Sequence, residues 1–480
     1  MAPASRPRSH QRILHAVDSG GLPLLLLAFY GAILAGFAPL ELVQDSWLTL
    51  VGGREVAAHG IPHHETLTLM AHGVHWVDQQ WLAKLAFYEM VRLGGLRLAV
   101  LLHVLLLLSA FALVLAAARR RGATANAVFW IGLVCVFLAP WGWQMRAQSF
   151  AFPLYAGTLW LLIADSRAPS RRVLAVLPLL ALWGNLHGSV VLGAALAALR
   201  GATIFWERLR GSASPHWKVR GALLCAAPLA ALLSPYGAGL VGYYHHMLGS
   251  PLLSTFVQEW GPTTPQKAWL FYAVALATLW LLGRAGSALT LFERLALLAS
   301  IAAALTAIRQ VVWFELTAAA LLPVLVTAWR GKPADAPAPR WVGRFAAFAL
   351  IVTAVALLSA RPGWFDSRYP AGAEAAIVQR TASPGTRVFA SESLSDWLLW
   401  TDPKLAGRVA YDVRFEIMTR RQLQALVDYH HRAGRDWAAP TKGYGVLVLD
   451  RRSDSKVASA LRRRGLHVAY ADRDTLVLTR

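Results

Sequence analysis

The 480-residue chain is short of charge: Asp, Glu, Lys and Arg make up only 15% of it, against 56% hydrophobic residues, and its mean hydropathy is +0.45. A soluble protein of this length needs far more charge to cover its surface. Cysteine is nearly absent as well. The two present, Cys135 and Cys225, both sit in apolar runs, which excludes a disulfide framework and a thiolate metal site. Lysine is scarce, 7 residues against 40 arginines, and alanine and leucine dominate, a composition that suggests a GC-rich bacterial genome. No internal repeat is visible. Arg6, Arg8 and Arg12 are not followed by a short apolar core with a small-residue cleavage site, so the first apolar run reads as a signal anchor.

What the chain has in abundance is long apolar runs. A membrane span takes about 20 such residues. Candidate windows lie at 21–39, 96–118, 125–143, 148–165, 172–186, 189–205, 220–236, 267–283, 291–309, 311–329 and 340–360. The expected fold class is therefore a polytopic α-helical membrane protein of about eleven transmembrane helices. The segment WLAKLAFYEMVRLGG (81–95) is too short and too charged for a lipid-facing span and reads as an interfacial helix, a short true span being the alternative.

The net charge of +21 would suit nucleic acid. Its distribution points instead to topology. With the N-terminus inside, Arg119–Arg121, Arg167, Arg171, Arg172, Arg208, Arg210, Lys218, Arg220, Arg284, Arg294, Arg330, Lys332 and Arg340 fall in connections that return to the cytoplasm. This reading gives a cytoplasmic basic N-terminus over 1–20, a membrane part over 21–360 with a first outer loop at 40–95, and an extracytoplasmic tail over 361–480. The tail is a different polymer, charged and punctuated by the short β-like runs RVFA, GRVAYDV, YGVLVLD, LHVAYAD and TLVLTR. A helical stretch, TRRQLQALVDYHHRAG, lies among them. It predicts one small α/β domain. The Pro-Ala stretch 332–340 reads as a cytoplasmic loop.

The same topology sorts the unusual polar residues onto the outer face: Asp45, Asp78, Arg146, Asn185, His187, Tyr236, Glu259 and Arg309. Charged groups at membrane depth are costly and usually face a cavity or a partner, so these stretches predict a pocket open to the extracytoplasmic side. Asp45 reads either as a helix-start residue or as a general base for an acceptor hydroxyl. Arg146 and Arg309 either snorkel or clamp a phosphate with the guanidinium fork. Asn185 and His187 either finish a span or bind diphosphate or sugar hydroxyls. Glu259 is a second site carboxylate or an arginine's partner. His59, His63, His64, His72 and His75 read as solvated loop histidines, because Gly60 and Pro62 break the helix that zinc spacing would require. A divalent metal is left open, with no ligand set assigned. Trp47, Trp76 and Trp81 fit an interfacial aromatic belt.

Taken in order, the motifs carry a resemblance. Asp45-x-Trp47 is followed by Gly53-Arg54 and Ile61-Pro62, then Gly73-x-x-Trp76 and Trp81-Leu82. Next come Arg146-x-Gln148-x-Phe150, Trp183-x-Asn185-x-His187-Gly188-Ser189, Pro235-Tyr236-Gly237, Glu259-Trp260 and Ala307-x-Arg309. The series resembles a bacterial group of the GT-C glycosyltransferase superfamily, related to protein O-mannosyltransferases and lipid A aminoarabinose transferases. It covers about 20–330, and more loosely the tail, where Tyr411–Glu416 resembles a D-x-R-x-E element. The chain departs from the group at Gln79-Gln80-Trp81, where relatives carry H-E-W, and at Glu65, where they carry aspartate. The resemblance implies a glycosyltransferase of the bacterial inner membrane. It would move a sugar from a polyprenyl-phosphate donor to an extracytoplasmic glycan, lipid or protein acceptor, with Asp45 as the catalytic carboxylate. The rival readings are a lipid-linked substrate transporter, which would be expected to show inverted repeats, and a non-catalytic envelope assembly protein.

Overall fold

The structure is a computed structural model that describes residues 21–212, 214–249, 258–331 and 338–480. The basic segment 1–20 and most of the Pro-Ala stretch lie outside the described residues. Among the described residues seven helices are long and apolar enough to cross a bilayer: Gly21–Glu41, Leu96–Arg120, Ala147–Arg167, Val190–Leu209, Pro265–Ala288, Ile308–Trp329 and Arg340–Ser359. The protein is a multi-pass membrane protein. The other four predicted windows hold shorter helices, Ala125–Val136, Val176–Trp183, Trp217–Cys225 and Leu291–Thr306. All eleven predicted windows thus hold helix among the described residues, seven of them long and four shorter. Proline accounts for part of the difference, because it lacks the N–H that continues a helix. Pro140 opens a 3-10 turn at Pro140–Trp143, and Pro228 lies in another at Ala227–Leu232.

Ile308–Trp329 is the central helix, 89% buried, whereas Arg340–Ser359 is 22% buried and packs on Gly21–Glu41. Trp341, Phe345, Phe348 and Ile351 on its outer face are exposed, as a lipid-facing surface requires. At one end of the bundle the arginine-rich connections are knitted together. Asp165 accepts from Arg200 Nε at 2.9 Å and from Arg220 Nη2 at 2.8 Å, and Glu293 holds Arg121 at 2.8 Å and Arg167 at 3.5 Å. Arg200 and Arg220 are fully buried. A buried guanidinium is tolerated only when paired in this way.

The C-terminal part carries a four-stranded sheet in the order β1-β2-β4-β3, with β1 Val388–Ala390, β2 Val446–Asp450, β3 His467–Ala471 and β4 Thr475–Thr479. β1 and β2 are parallel and the remaining pairs antiparallel. The expected strand at GRVAYDV does not form. Val409 instead makes single bridges to Val388 on one side and to Thr68 on the other. The first loop is thereby laid along the edge of the tail sheet: Leu69 N–H donates to Val409 O at 2.8 Å, Met70 N–H to Ala410 O at 2.9 Å, and Gly407 N–H to Leu67 O at 2.8 Å.

Helix Gln44–His59 lies between Trp81–Gly94 and Glu392–Thr401. Gly53 allows the first contact, since a Cβ there would fall 2.1 Å from Lys84 O. Arg54 seals the second by donating to Trp400 O at 3.0 Å and Leu399 O at 2.5 Å. The tryptophans depart from the predicted aromatic belt because each has a partner inside the fold. Trp47 is buried against Tyr369 and Trp400, and Trp76 lies between the cations of Lys84 and Arg414, at 4.7 and 4.4 Å. Trp81 Nε1 donates to Asn185 Oδ1 at 3.1 Å.

Candidate active site

A cleft of 580 Å³ lies where the membrane helices meet the tail. Six helices have their N-termini at its wall, beginning at or just after Gln44, Gln80, Ala147, Ser189, Gln310 and Glu392. A helix N-terminus leaves four backbone N–H groups without an intrahelical partner and carries roughly half a positive charge. Several together make a field that favours anions.

Asp45 is the second residue of its helix, after the N-cap Val43, and its carboxylate faces Arg146 at 3.4 Å. Interlocked turns fix the pair. Ser46 Oγ donates to Met145 O at 2.6 Å, Met145 N–H donates to Glu41 O at 3.0 Å, and buried His103 bonds both Trp143 O and Ser149 Oγ on either side of Arg146. Arg146 also grips Glu259 through Nη1 at 2.8 Å and Nη2 at 2.6 Å. Burial alone would lower the Arg146 pKa, but Asp45 and Glu259 raise it above its ordinary value. Burial likewise opposes ionisation of Glu259, and the Arg146 charge and hydrogen bonds hold it below the usual carboxylate range. Arg146 is therefore a neutralised cation.

Arg309 is not. Its guanidinium stacks over Trp260 at 4.3 Å, and no hydrogen bond or ion pair to it is found among the described residues. The turn bearing it is tied to the Glu259 turn by Ile308 N–H donating to Gly261 O at 3.1 Å. His187 lines the same wall. Ser189 N–H donates to its Nδ1 at 3.1 Å and Ser189 Oγ lies 2.7 Å from it, so Nδ1 accepts and Nε2 carries the proton. Burial, then the charges of Arg309 and Arg146, push the imidazole down to about 3. It is a neutral donor at physiological pH.

The structure thus brings Asp45, Arg146, His187, Glu259 and Arg309 into one cleft. Asn185 and Tyr236 are not part of its lining. Asn185 is spent on structure, donating to Ala181 O and Leu233 O while accepting from Trp81, and Tyr236 OH donates to Pro62 O at 2.7 Å. His59, His63, His64, His72 and His75 are all exposed. Among the described residues no three His, Cys, Asp or Glu side chains come together as metal ligands.

Several lining residues escape a reading of the sequence. Lys84, in the segment read as an interfacial helix, forms a buried pair at 2.8 Å with Asp78, which the sequence had placed on the outer face. From the tail come Glu392 and the run Val413–Glu416. Arg414 pins that run: it pairs with Asp412 and with Glu65, each at 2.5 Å, and all three are buried. Glu65 also accepts from Leu67 N–H and Thr68 N–H, both at 2.8 Å. The only advance signal of this wall was the D-x-R-x-E pattern at 412–416.

No protein-family model matches the chain, and no curated protein matches it either. Among solved structures it is similar to apo ArnT from Cupriavidus metallidurans, at 14% identity over 94% of this chain and 97% of that one, with a TM-score of 0.51. It is also similar to the apo oligosaccharyltransferase of Archaeoglobus fulgidus, at 13% identity over 91% of this chain and 71% of that one, with a TM-score of 0.50. Seven long apolar helices among the described residues, a cleft at their common end and a small sheet domain set against it make up a fold that the chain shares with these two structures.

Proposed function

We propose that the protein is a glycosyltransferase that moves a sugar from a polyprenyl-phosphate donor to an acceptor hydroxyl on the extracytoplasmic face of the bacterial inner membrane. The acceptor oxygen forms a bond to the anomeric carbon, the bond from that carbon to the phosphate oxygen breaks with inversion, and the polyprenyl phosphate leaves with the electron pair. Asp45 takes the acceptor proton. The leaving group is already a phosphate, so positioning and electrostatic stabilisation carry most of the rate.

The observation that supports this reading is Arg309, a guanidinium in a polar cleft with no direct hydrogen bond or ion pair among the described residues, although the charges of Glu259 and Asp45 reach it. A phosphate satisfies it bidentately. Around it the helix N-termini favour an anion, Arg146 adds a second guanidinium, and His187 offers Nε2–H without adding charge. The likeness to a lipid A aminoarabinose transferase and to an oligosaccharyltransferase supports the same class of donor. The carboxylates of Asp45 and Glu259 balance the charge of Arg146.

The test is binding of a long-chain polyprenyl phosphate to the full-length protein in nanodiscs, read by native mass spectrometry. The parent protein binds it, and Arg309→Gln weakens binding by about tenfold or more. Equal binding by parent and variant, or none by the parent, overturns the reading. An outward-facing assay with radiolabelled polyprenyl-phosphate sugars then identifies the sugar.

A further inference from the structure

The wall of the cleft around Gln79 has its own chemistry, although its Tyr243 also feels the charge of Arg309. Gln79 is 3% exposed, and its Nε2 donates to Tyr243 OH at 3.1 Å, while its Oε1 has no partner among the described residues. Turning the amide over would exchange the two atoms and leave a donor unmatched in place of an acceptor. Either way one buried polar atom faces the cleft without a mate, which costs stability unless a ligand supplies it. Gly188 closes the amide from behind, since a Cβ there would lie 3.2 Å from Gln79 Nε2.

Two tail residues continue this wall. Phe415 and Glu416 line the cleft directly after Arg414, whose pairing with Asp412 and Glu65 holds the backbone in place. Phe415 N–H donates to Val413 O at 2.9 Å, which tightens the same turn. Burial pushes the Glu416 carboxyl up to about 7, against the Arg414 and Lys84 charges, and its charge is felt by Tyr243. The wall therefore combines an amide with an unmatched atom, a phenol, a carboxyl and an aromatic ring. A phosphate is repelled by the carboxyl. An ammonium cannot accept a hydrogen bond, so it would serve only one orientation of the amide. A sugar hydroxyl donates and accepts, and a sugar's C–H face packs on a phenyl ring.

We infer that Gln79, Tyr243, Phe415 and Glu416 form the acceptor subsite, and that the acceptor presents a neutral, hydroxyl-rich sugar residue there. This rests on the transferase reading above and adds the substrate class on the acceptor side. It also gives a use to the Gln79-Gln80 pair that departs from the related group.

The experiment uses the full-length protein in nanodiscs and saturation-transfer NMR. The probes are methyl glycosides of neutral hexoses and of N-acetylhexosamines, with putrescine as the cationic comparison. At least one glycoside is expected to bind the parent, and Gln79→Leu and Phe415→Ala each to weaken it at least fivefold. Glu416→Gln, which keeps shape and hydrogen bonding, guards against loss of folding and is expected to weaken binding less than the other two. Polyprenyl-phosphate binding, measured on the same samples, stays unchanged in all three variants. No glycoside binding to the parent, unchanged binding in Gln79→Leu and Phe415→Ala, or binding of putrescine alone overturns the subsite. Loss of the lipid arm in the parent would instead overturn the transferase reading.

Discussion

Arg146 holds Glu259 through both terminal nitrogens, at 2.8 and 2.6 Å, while Asp45 stands 3.4 Å from the same guanidinium. One cation thus serves two carboxylates that lie far apart in sequence. The neighbouring Arg309 makes no direct ion pair among the described residues, although the charges of the same two carboxylates reach it. The sequence reading offered both arginines the same two alternatives, snorkelling or a phosphate clamp. The geometry separates them, with Arg146 ordering the carboxylates and Arg309 open to a ligand.

Asp45→Asn keeps the shape of the side chain and removes the proton acceptor. Transfer activity in the radiolabelled-donor assay should fall by about 10²-fold or more, with insertion and lipid-phosphate binding unchanged. Full activity in the variant would leave Asp45 as a helix-start residue paired to Arg146.

Arg309→Lys keeps the charge and loses the planar fork. Polyprenyl-phosphate affinity should drop by about fivefold to tenfold, short of the loss in Arg309→Gln, because a lysine meets phosphate as a point charge. The comparison is a titration of both purified variants.

Arg414→Met should act on stability. It leaves Glu65 and Asp412 buried without their cation, and breaking a buried pair costs about 3–5 kcal/mol. Thermal unfolding followed by tryptophan fluorescence should show an early loss of tail structure. Glu65→Gln should act in the same direction and less strongly, since the amide oxygen can still accept from Leu67 and Thr68 N–H.

Glu416 gives a pH dependence whose sign is fixed. Burial raises its pKa from 4.5 to about 7, with Arg414, Asp412, Lys84 and Tyr243 as its charged or titratable surroundings. Its contribution to stability is complete below pH 4.5 and is lost as the pH rises through about 7. The cleft side is partly wet, so the loss amounts to about 1–3 kcal/mol. The melting temperature of Glu416→Gln should match the parent near pH 5 and exceed it near pH 8. Parallel curves over that range would remove Glu416 as the titrating group.

Reporter fusions test the topology proposed from the arginines. Fusions at Gly122, Ser170 and Gly211 should report cytoplasm, and fusions at Gly188, Gly261 and Gly385 the outside. The first three lie near the ion pairs of Glu293 and Asp165, and Gly188 and Gly261 lie at the cleft end. A cytoplasmic signal from Gly385 would put the cleft on the wrong face for an extracytoplasmic acceptor.

Much of the fold was legible because hydropathy and β-branched runs report local preference. Every predicted span window contains a helix, and four of the five β-like runs became strands. GRVAYDV did not become a strand: Val409 makes one isolated bridge to each neighbour, Val388 and Thr68. The site was half legible. Asp45, Arg146, His187, Glu259 and Arg309 were costly at membrane depth and therefore conspicuous. Asn185 and Tyr236 were conspicuous in the same way, yet their hydrogen bonds go to backbone carbonyls, and nothing in a lone sequence separates those two uses. Lys84 and Glu416 were hidden because each sits among charges that look solvated until tertiary structure buries them.

The pairing of the first loop with the tail also imposes an order on biosynthesis. Gln422 Nε2 donates to Met70 O at 2.6 Å across 352 residues of chain. At about 5–20 residues per second, a ribosome needs roughly 20–70 s to make what separates them. Through that interval Glu65 lacks Arg414, and the edge formed by Leu67–Met70 has no tail segment to join. Truncation anywhere before residue 414 would leave a bundle whose cleft lacks a wall.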